Sequence, residues 1–211
     1  MISRLKKYAD ENSSQTVAIE DGFSIERYAQ FARHLPKTAI NILDVGCAEG
    51  RGGIELKRLR PEIKLCGLDC VSERLDLLPE CYCHKTLGLT NEIPEPDCSF
   101  DAIVAGEFLE HLYPSDVDPT LCEFQRILKI GGTLLMTTPN PHSLRMRMRK
   151  GTVYGIAHLT QHFPKILKNR LMLHGFSNVR IIGSGQATRH FGEWMPILSV
   201  YGSYLIIGTK I

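Results

Sequence analysis

The sequence predicts an α/β fold, a Rossmann-like three-layer sandwich whose mostly parallel seven-stranded sheet carries an antiparallel C-terminal edge pair. Strand-like apolar runs alternate with helical segments over residues 39–138, which implies parallel strands joined by right-handed crossovers. Two further strand-like runs, residues 178–182 and 201–208, have only irregular sequence between them. That spacing favours an antiparallel pair. With 211 residues, of which 43% are hydrophobic, the chain suits one domain.

The first half of the chain is predicted to alternate between helices and two strands. Residues 1–35 are predicted to form one or two helices, because apolar positions recur there at helical spacing before Pro36. A strand is predicted at 39–44, a helix at 52–59 and a second strand at 64–68. Ser72 is expected to be the N-cap of a short helix.

The second half continues the alternation. Residues 83–87 form a weak predicted strand and residues 100–105 a clear one. Asp118 and Pro119 predict the start of a helix, with the acid as its cap and the proline at the first helical position. This helix is expected to end at Gly131 and Gly132, before a strand at 133–138.

Composition and charge narrow the class of protein. The net charge of +2 gives no overall field that would attract nucleic acid or a membrane. Residues 1–14 lack the apolar core of a secretory signal, and no apolar run approaches transmembrane length. The seven cysteines favour reduced thiols. We therefore expect a cytoplasmic protein with no nucleic-acid or membrane partner.

A binding site is indicated where the first two predicted strands end. The first run ends in Asp44 and a turn that contains Gly46 and Gly50, and the second run ends in Asp69. Glycines at such a turn allow a ligand to approach the backbone, and an acid after the second strand is placed to bind ribose hydroxyls. This arrangement predicts a site for an adenosine-bearing cofactor.

Five segments in order resemble one family. Residues 43–50 read LDVGCAEG where the family often has LDVGCGTG, and residues 88–101 read GLTNEIPEPDCSFD beside GDAEDLPFPDNSFD. Residues 107–112 (EFLEHL) and 126–132 (RILKIGG) match EVLEHV and R-x-L-K-P-G-G. Residues 158–176 are in register with HLREFTPEELRRLLEEAGF. From about residue 39 to its end, the chain therefore resembles the small-molecule branch of class I S-adenosylmethionine-dependent methyltransferases.

The resemblance implies a cofactor and a set of residues that bind it. The cofactor is S-adenosylmethionine, with S-adenosylhomocysteine as product. Asp44 is expected to organise the turn and the cofactor's ammonium group, and Asp69 to accept from the ribose hydroxyls. Leu89 occupies the position of an adenine-contacting acid, so either Asn91 substitutes for that acid or the base is held by apolar contact and backbone alone. The other expected cofactor-binding residues are Gly46, Cys47, Gly50, Cys70, Thr90, Ala105 and Glu107.

The family's chemistry also implies catalytic candidates. Methyl transfer requires an aligned nucleophile and exclusion of water, and a hydroxyl acceptor also needs a base. His111 and His158 are the predicted catalytic residues, with His142 and His162 as further candidates for the base. No metal is expected, although Glu107, Glu110, His111 and a later histidine match a metal-binding variant of this run.

The predicted function is methyl transfer to an O or N atom of a small-molecule acceptor by a monomer or homodimer. A metal-assisted methyltransferase of an RNA terminus or ribose, and a non-catalytic cofactor-binding protein, remain open. A nicotinamide oxidoreductase is disfavoured because the first turn lacks G-x-G-x-x-G spacing. Residues 1–211 form one predicted methyltransferase domain, with a helical cap at 1–36 and acceptor-side inserts at 140–165 and 184–199.

Overall fold

The computed structural model describes residues 4–13, 22–155 and 158–211, and expectations for the remaining positions lie outside the described residues. Its sheet has seven strands in the order β3-β2-β1-β4-β5-β7-β6. The strands are β1 Asn41–Val45, β2 Lys64–Asp69, β3 Tyr82–Leu87, β4 Phe100–Gly106, β5 Leu128–Pro139, β6 Phe176–Ser184 and β7 Ser203–Lys210.

The strand directions confirm the predicted fold class. The pairs among β1 to β5 are all parallel, whereas β7 is antiparallel to both β5 and β6. Because β7 lies between β5 and β6, the edge strand is β6. Pro139 and Ser184 both pair with Ser203. The connections that follow β5 and β6 therefore leave the sheet at the same edge as those after β1, β2 and β4.

Helices cover both faces of the sheet and complete three layers. They are α1 Arg4–Ser13, α2 Gly22–His34, α3 Arg51–Leu59, α4 Ser72–Asp76, α5 Pro114–Ile127, α6 Leu144–Met148, α7 Pro164–Leu173 and α8 Thr188–Phe191, with 3₁₀ turns at Leu109–His111 and Leu198–Val200. One core cluster joins Tyr8, Phe124 and Leu171 to one face, and a second joins Phe31 and Leu56 to the other. Burial of these apolar faces is the main force that holds the layers together. Within the described residues, no helix has the length and apolar character needed to cross a membrane.

The predicted start of α5 is wrong. The helix begins at Pro114, so that Pro119 lies inside it and Asp118 does not cap it. The Asp118 carboxylate instead accepts hydrogen bonds from Arg170 and His174 of α7. A tertiary ion pair therefore replaces the local cap that the Asp-Pro pair suggested.

Three other local predictions also differ from the structure. Ser72 is the first residue of α4 rather than its N-cap, and its hydroxyl donates to Glu73. The helix predicted to reach Gly131 and Gly132 ends at Ile127, because Leu128 is already extended and pairs with Phe100. The irregular stretch before β7 contains the single helical turn α8 and a 3₁₀ turn.

Candidate functional site

A cavity of about 310 Å³ opens at the carboxyl edge of the sheet. The turns after β1, β2 and β4 form its floor, and residues of α1 and α2 form its opposite wall. This is where ligands bind in open parallel sheets, since the crossovers leave a crevice outside the strand ends.

The turn after β1 folds back onto the end of β2. Gly46 has a φ of +66°, and its amide donates to the Leu68 carbonyl at 2.8 Å. A Cβ on Gly46 would lie 2.8 Å from Phe108 Cδ2, so no larger residue fits without movement. Ala48 also has a positive φ, of 47°, a conformation that is costly for a residue with a side chain. The turn therefore presents bare backbone to the cavity.

Asp69 lies directly beside this turn and faces the cavity. Its Oδ2 accepts from the Ala48 amide at 3.0 Å and its Oδ1 from the Val71 amide at 2.9 Å. Arg74 Nη1 is 4.0 Å from Oδ1. Each carboxylate oxygen has two lone pairs, so Asp69 retains acceptor capacity toward the cavity while its orientation is fixed.

Asp44 lies beneath the turn and is absent from the residues that line the cavity. Tyr28 of α2 and Tyr82 of β3 each donate a hydroxyl hydrogen bond of 2.5 Å to one of its oxygens. Burial raises the pKa of Asp44 to about 7, although both tyrosines lower it. Asp44 therefore ties β1 to two neighbouring elements, and its predicted contact with a cofactor ammonium stays a prediction.

The structure brings most of the predicted site residues to the cavity wall. Those that line it are Gly46, Cys47, Asp69, Cys70, Leu89, Thr90, Glu107 and His111, together with the alternative Asn91. Gly50, Ala105 and His158 are not among the lining residues. Gly50 is the N-cap of α3 and faces Pro79 and Tyr82, whereas Ala105 is fully buried within β4.

The N-terminal helices provide cavity residues that the motifs did not indicate. They are Tyr8, Asn12, Ser24, Arg27 and Tyr28. Tyr8 donates to Asp116 Oδ2 at 2.5 Å, which anchors α1 over the cavity. Arg27 packs against Gly106, and a Cβ on Gly106 would lie 2.8 Å from the Cδ of Arg27. The Nε of Arg27 is 3.8 Å from Glu107 Oε1. Only the helical periodicity of this segment signals these residues, because no family motif covers them.

Glu107 points into the site from a strained backbone. Its φ is +51°, and its amide donates to both the carbonyl and the hydroxyl of Thr137. Its Oε2 accepts from Ser203, whereas the buried Oε1 has no hydrogen-bond partner. Left-handed non-glycine residues of this kind occur disproportionately at functional sites.

A second acid and two histidines lie next to Glu107. Glu110 Oε2 accepts from Thr138 Oγ1, whereas its buried Oε1 has no hydrogen-bond partner. Burial, together with the nearby Glu107, raises the pKa of Glu110 well above its usual range. One ligand atom from each of Glu110, His111 and His158 lies within 4.8 Å of the others. These three residues are defined here as the Glu–His–His cluster.

The segment after α6 holds His158 in this cluster. The Glu110 carbonyl accepts from the amides of Leu159 and Thr160, and His158 Nδ1 contacts the Val153 carbonyl at 2.9 Å. Because a carbonyl only accepts, Nδ1 carries the proton and Nε2 keeps its lone pair. The rings of His111 and His158 meet edge to face at 4.9 Å.

The other two histidine candidates lie elsewhere. His162 is buried and contacts Thr160 Oγ1, and burial lowers its pKa to about 4. His142 is exposed and its ring packs near that of Phe163. Neither lines the cavity, so His111 is the one of the four histidine candidates that does.

Comparison with known proteins finds a family model and relatives that match part of the chain. A family model described as "Methyltransferase domain" matches residues 43–136. The demethylmenaquinone methyltransferase of Deinococcus radiodurans is 30% identical over 139 residues, which cover 63% of this chain and 56% of the relative. The human mitochondrial ubiquinone biosynthesis O-methyltransferase is 30% identical over 172 residues, covering 70% of this chain and 44% of the relative. The matched region thus spans about half the length of these curated relatives.

Solved structures share the fold. A SAM-dependent methyltransferase from Archaeoglobus fulgidus superposes with a TM-score of 0.67 at 23% identity, covering 87% of this chain and 92% of that one. A possible histamine N-methyltransferase from Thermotoga maritima gives 0.70 at 18% identity, with 89% of each chain covered. The fold and its cavity are those of a nucleotide-cofactor-binding α/β protein. The family model and these relatives support a class I S-adenosylmethionine-dependent methyltransferase, and the cofactor of that class is S-adenosylmethionine.

Proposed function

We propose that this protein transfers a methyl group from S-adenosylmethionine to an O or N atom of a small-molecule acceptor. The observation that carries the proposal is one cavity in which the Gly46 turn and Asp69 meet Glu107 and His111. When bound, S-adenosylmethionine supplies an electrophilic methyl on a sulfonium cation. The acceptor-side inserts, residues 140–165 and 184–199, leave the same sheet edge as the cavity.

Different residues are proposed to bind the two parts of the cofactor at the two ends of the cavity. The Asp69 carboxylate is placed for a pair of ribose hydroxyls, because the Ala48 and Val71 amides already fix its plane. Arg27 lies at the other end, beside Gly106 and Glu107. Its guanidinium suits a carboxylate such as that of an amino-acid tail.

His111 is the proposed general base for a hydroxyl acceptor. His111 lines the cavity, whereas His158 does not line it and packs its ring against that of His111. Imidazole exchanges protons near neutral pH, which suits this role. Tyr8 and Asn12 of α1 cover the cavity and so help to exclude water from the reacting groups.

Titration calorimetry tests cofactor binding directly. The protein is titrated with S-adenosylmethionine, S-adenosylhomocysteine and NAD, and binding is expected for the first two only. Asp69→Asn is expected to weaken binding about 10- to 100-fold, as the loss of a charged hydrogen-bond acceptor costs about 1.5–3 kcal/mol. Asp76→Asn, an exposed change on α4, is the matched control. Equal affinity in both variants would remove Asp69 from the site.

Methyl transfer is then assayed with radiolabelled donor and a panel of quinols, fatty acids and amines. His111→Gln is expected to reduce turnover 100-fold or more on a hydroxyl acceptor while cofactor affinity is retained. Tight cofactor binding without turnover on any acceptor would support the non-catalytic alternative.

The Glu–His–His cluster favours metal-assisted methyl transfer as a second candidate function. Glu110 Oε1 is buried without a hydrogen-bond partner, and the His158 Nδ1 contact leaves Nε2 available as a ligand. A carboxylate and two imidazoles suit a borderline divalent cation, and a ligating histidine usually donates its other N–H to a carbonyl. Such a cation would bind an acceptor oxygen and lower the pKa of its hydroxyl proton.

Direct metal binding separates the two candidates. The protein is titrated with Mn²⁺ and Zn²⁺ by calorimetry, and the bound metal is counted after dialysis. The second candidate requires one ion per chain, lost in Glu110→Gln and in His158→Ala but retained in His142→Ala, which changes an exposed histidine outside the cluster. If no ion binds, the cluster acts only through the His111 base.

A further inference from the structure

The feature with no assigned role is a basic and apolar surface on α6. Leu144 and Met148 are 43% and 83% exposed. Arg145, Arg147, Arg149 and Lys150 are also exposed, and no described acidic side chain forms an ion pair with any of them. These six residues are defined here as the α6 surface.

The exposed side of α6 carries both apolar and basic side chains. Leu144 and Met148 are four residues apart and therefore share one helical face, and that face is turned to solvent. Arg145 and Arg147 lie on either side of it, while Met146 is the less exposed residue on the opposite side. An ordinary surface helix buries its apolar stripe. Here two apolar side chains and their flanking cations share the exposed side.

The α6 surface is connected to the Glu–His–His cluster beside the cavity. Asn140, just before α6, donates to the Leu198 carbonyl, and α6 packs near the 3₁₀ turn that follows the exposed Ile197. After α6 the chain reaches Val153, whose carbonyl binds His158 of the Glu–His–His cluster. Because the ring of His158 contacts that of His111 at 4.9 Å, a short segment and one ring contact connect the surface to the proposed base.

We propose that the α6 surface docks the protein on an anionic lipid bilayer, from which a lipid-dissolved acceptor enters the cavity. This inference rests on the proposed function and names the class of acceptor. Cations flanking exposed apolar side chains are the pattern of a helix that lies in a membrane interface, and each cation near an anionic leaflet adds to the affinity. A nucleic-acid surface would use the cations but would leave Leu144 and Met148 without a role.

The docking mode is compatible with the small net charge of the protein, although it replaces the expectation of no membrane partner. The net charge of +2 excludes attraction by the molecule as a whole, but four cations within six residues create a local positive field. Interfacial docking also requires no membrane-spanning helix. The sequence-based expectation of no membrane partner would then be wrong for this one surface.

Vesicle flotation of the intact protein tests the proposal. Vesicles of phosphatidylcholine with 30% phosphatidylglycerol are expected to bind at least tenfold more protein than vesicles of phosphatidylcholine alone. Arg145→Gln with Arg147→Gln should weaken binding by roughly 25-fold, as about fivefold is expected for each cation. Met148→Asp should weaken it further at high salt, where the apolar contact is the remaining attraction.

The matched control removes two positive charges from the opposite edge of the sheet. Lys37 and Lys64 are exposed and lie next to the amino ends of β1 and β2, and Lys37→Gln with Lys64→Gln should leave vesicle binding unchanged. An equal loss in this control would overturn the proposal, as would binding of single-stranded RNA, but not vesicles, at physiological salt. Calorimetry with S-adenosylmethionine on the same variants should show unchanged affinity, so a failure to float leaves the proposed function standing.

Discussion

The buried carboxyl of Asp44 makes the stability of this protein fall as the pH rises. Its side chain is fully buried, and burial raises its pKa to about 7 from the ordinary value of 3.8. The folded state therefore holds a proton that the unfolded chain releases near pH 4. The stabilisation from this proton is complete below pH 4 and is lost progressively until the pH passes 7.

The magnitude follows from the size of the shift. Linkage with these two values gives a loss of about 2.5 kcal/mol of unfolding free energy between pH 5 and pH 8. The physical cause is that an ionised Asp44 has only the Tyr28 and Tyr82 hydroxyls to replace its hydration. Asp44→Asn keeps the shape and removes the titration, so the variant should lack this part of the pH dependence.

Urea unfolding at pH 5, 6, 7 and 8, followed by circular dichroism, measures the effect. The quantity of interest is the difference in unfolding free energy between wild type and Asp44→Asn, because acids elsewhere titrate equally in both. We expect this difference to shift by about 2.5 kcal/mol in favour of the variant across the range. Parallel pH profiles would show that Asp44 is ionised throughout and that its burial is misjudged.

Three further predictions concern single substitutions. Gly46→Ala should lower the unfolding free energy by about 1–2 kcal/mol in urea, as a left-handed residue with a Cβ 2.8 Å from Phe108 is strained; an unchanged midpoint would contradict the turn geometry. Phe31→Ala should cost about 3–5 kcal/mol because the ring is fully buried, whereas Ile25→Ala on the exposed side of α2 should be nearly neutral by the same measurement. Arg170 and His174 hold the pKa of Asp118 below its usual range, so Asp118→Asn should cost up to about 1 kcal/mol at pH 7 and progressively less as the pH falls below about 4; an equal cost at pH 7 and pH 2 would exclude this pairing.

The strands were predictable because each is a short apolar run between turn residues. Residues 64–68 and 100–105 fall within one residue of β2 and β4. Helix boundaries that depend on distant partners were not predictable. The Asp118-Pro119 pair has the local chemistry of a helix start, yet Arg170 lies 52 residues away along the chain and its pairing with Asp118 takes the side chain away from a cap.

The cavity was predictable where a backbone conformation demands a residue type. Gly46 adopts a positive φ, and Asp69 accepts a hydrogen bond from a turn amide. Both positions therefore require a particular residue type, and the sequence shows it. The sequence does not single out Arg27, because any helix in the N-terminal cap presents polar residues at similar spacing. Asp44 is a different case: its motif position predicts a ligand contact, which stays a prediction, and only the packing of Tyr28 and Tyr82 shows that its side chain is buried.

The alternation of apolar runs with glycine and acidic turns was enough to predict the sheet and the edge where a cofactor is expected, and the resemblance to a family came from five motifs in order. Those features depend on local periodicity and on backbone conformations that few residues tolerate. Tertiary structure alone decided which histidine lines the cavity, that Glu107 and Glu110 each have a buried oxygen without a hydrogen-bond partner, and that an Arg–Met segment turns Leu144 and Met148 outward. Each of these depends on which distant elements meet, and that is set by the packing of the whole chain rather than by neighbouring residues.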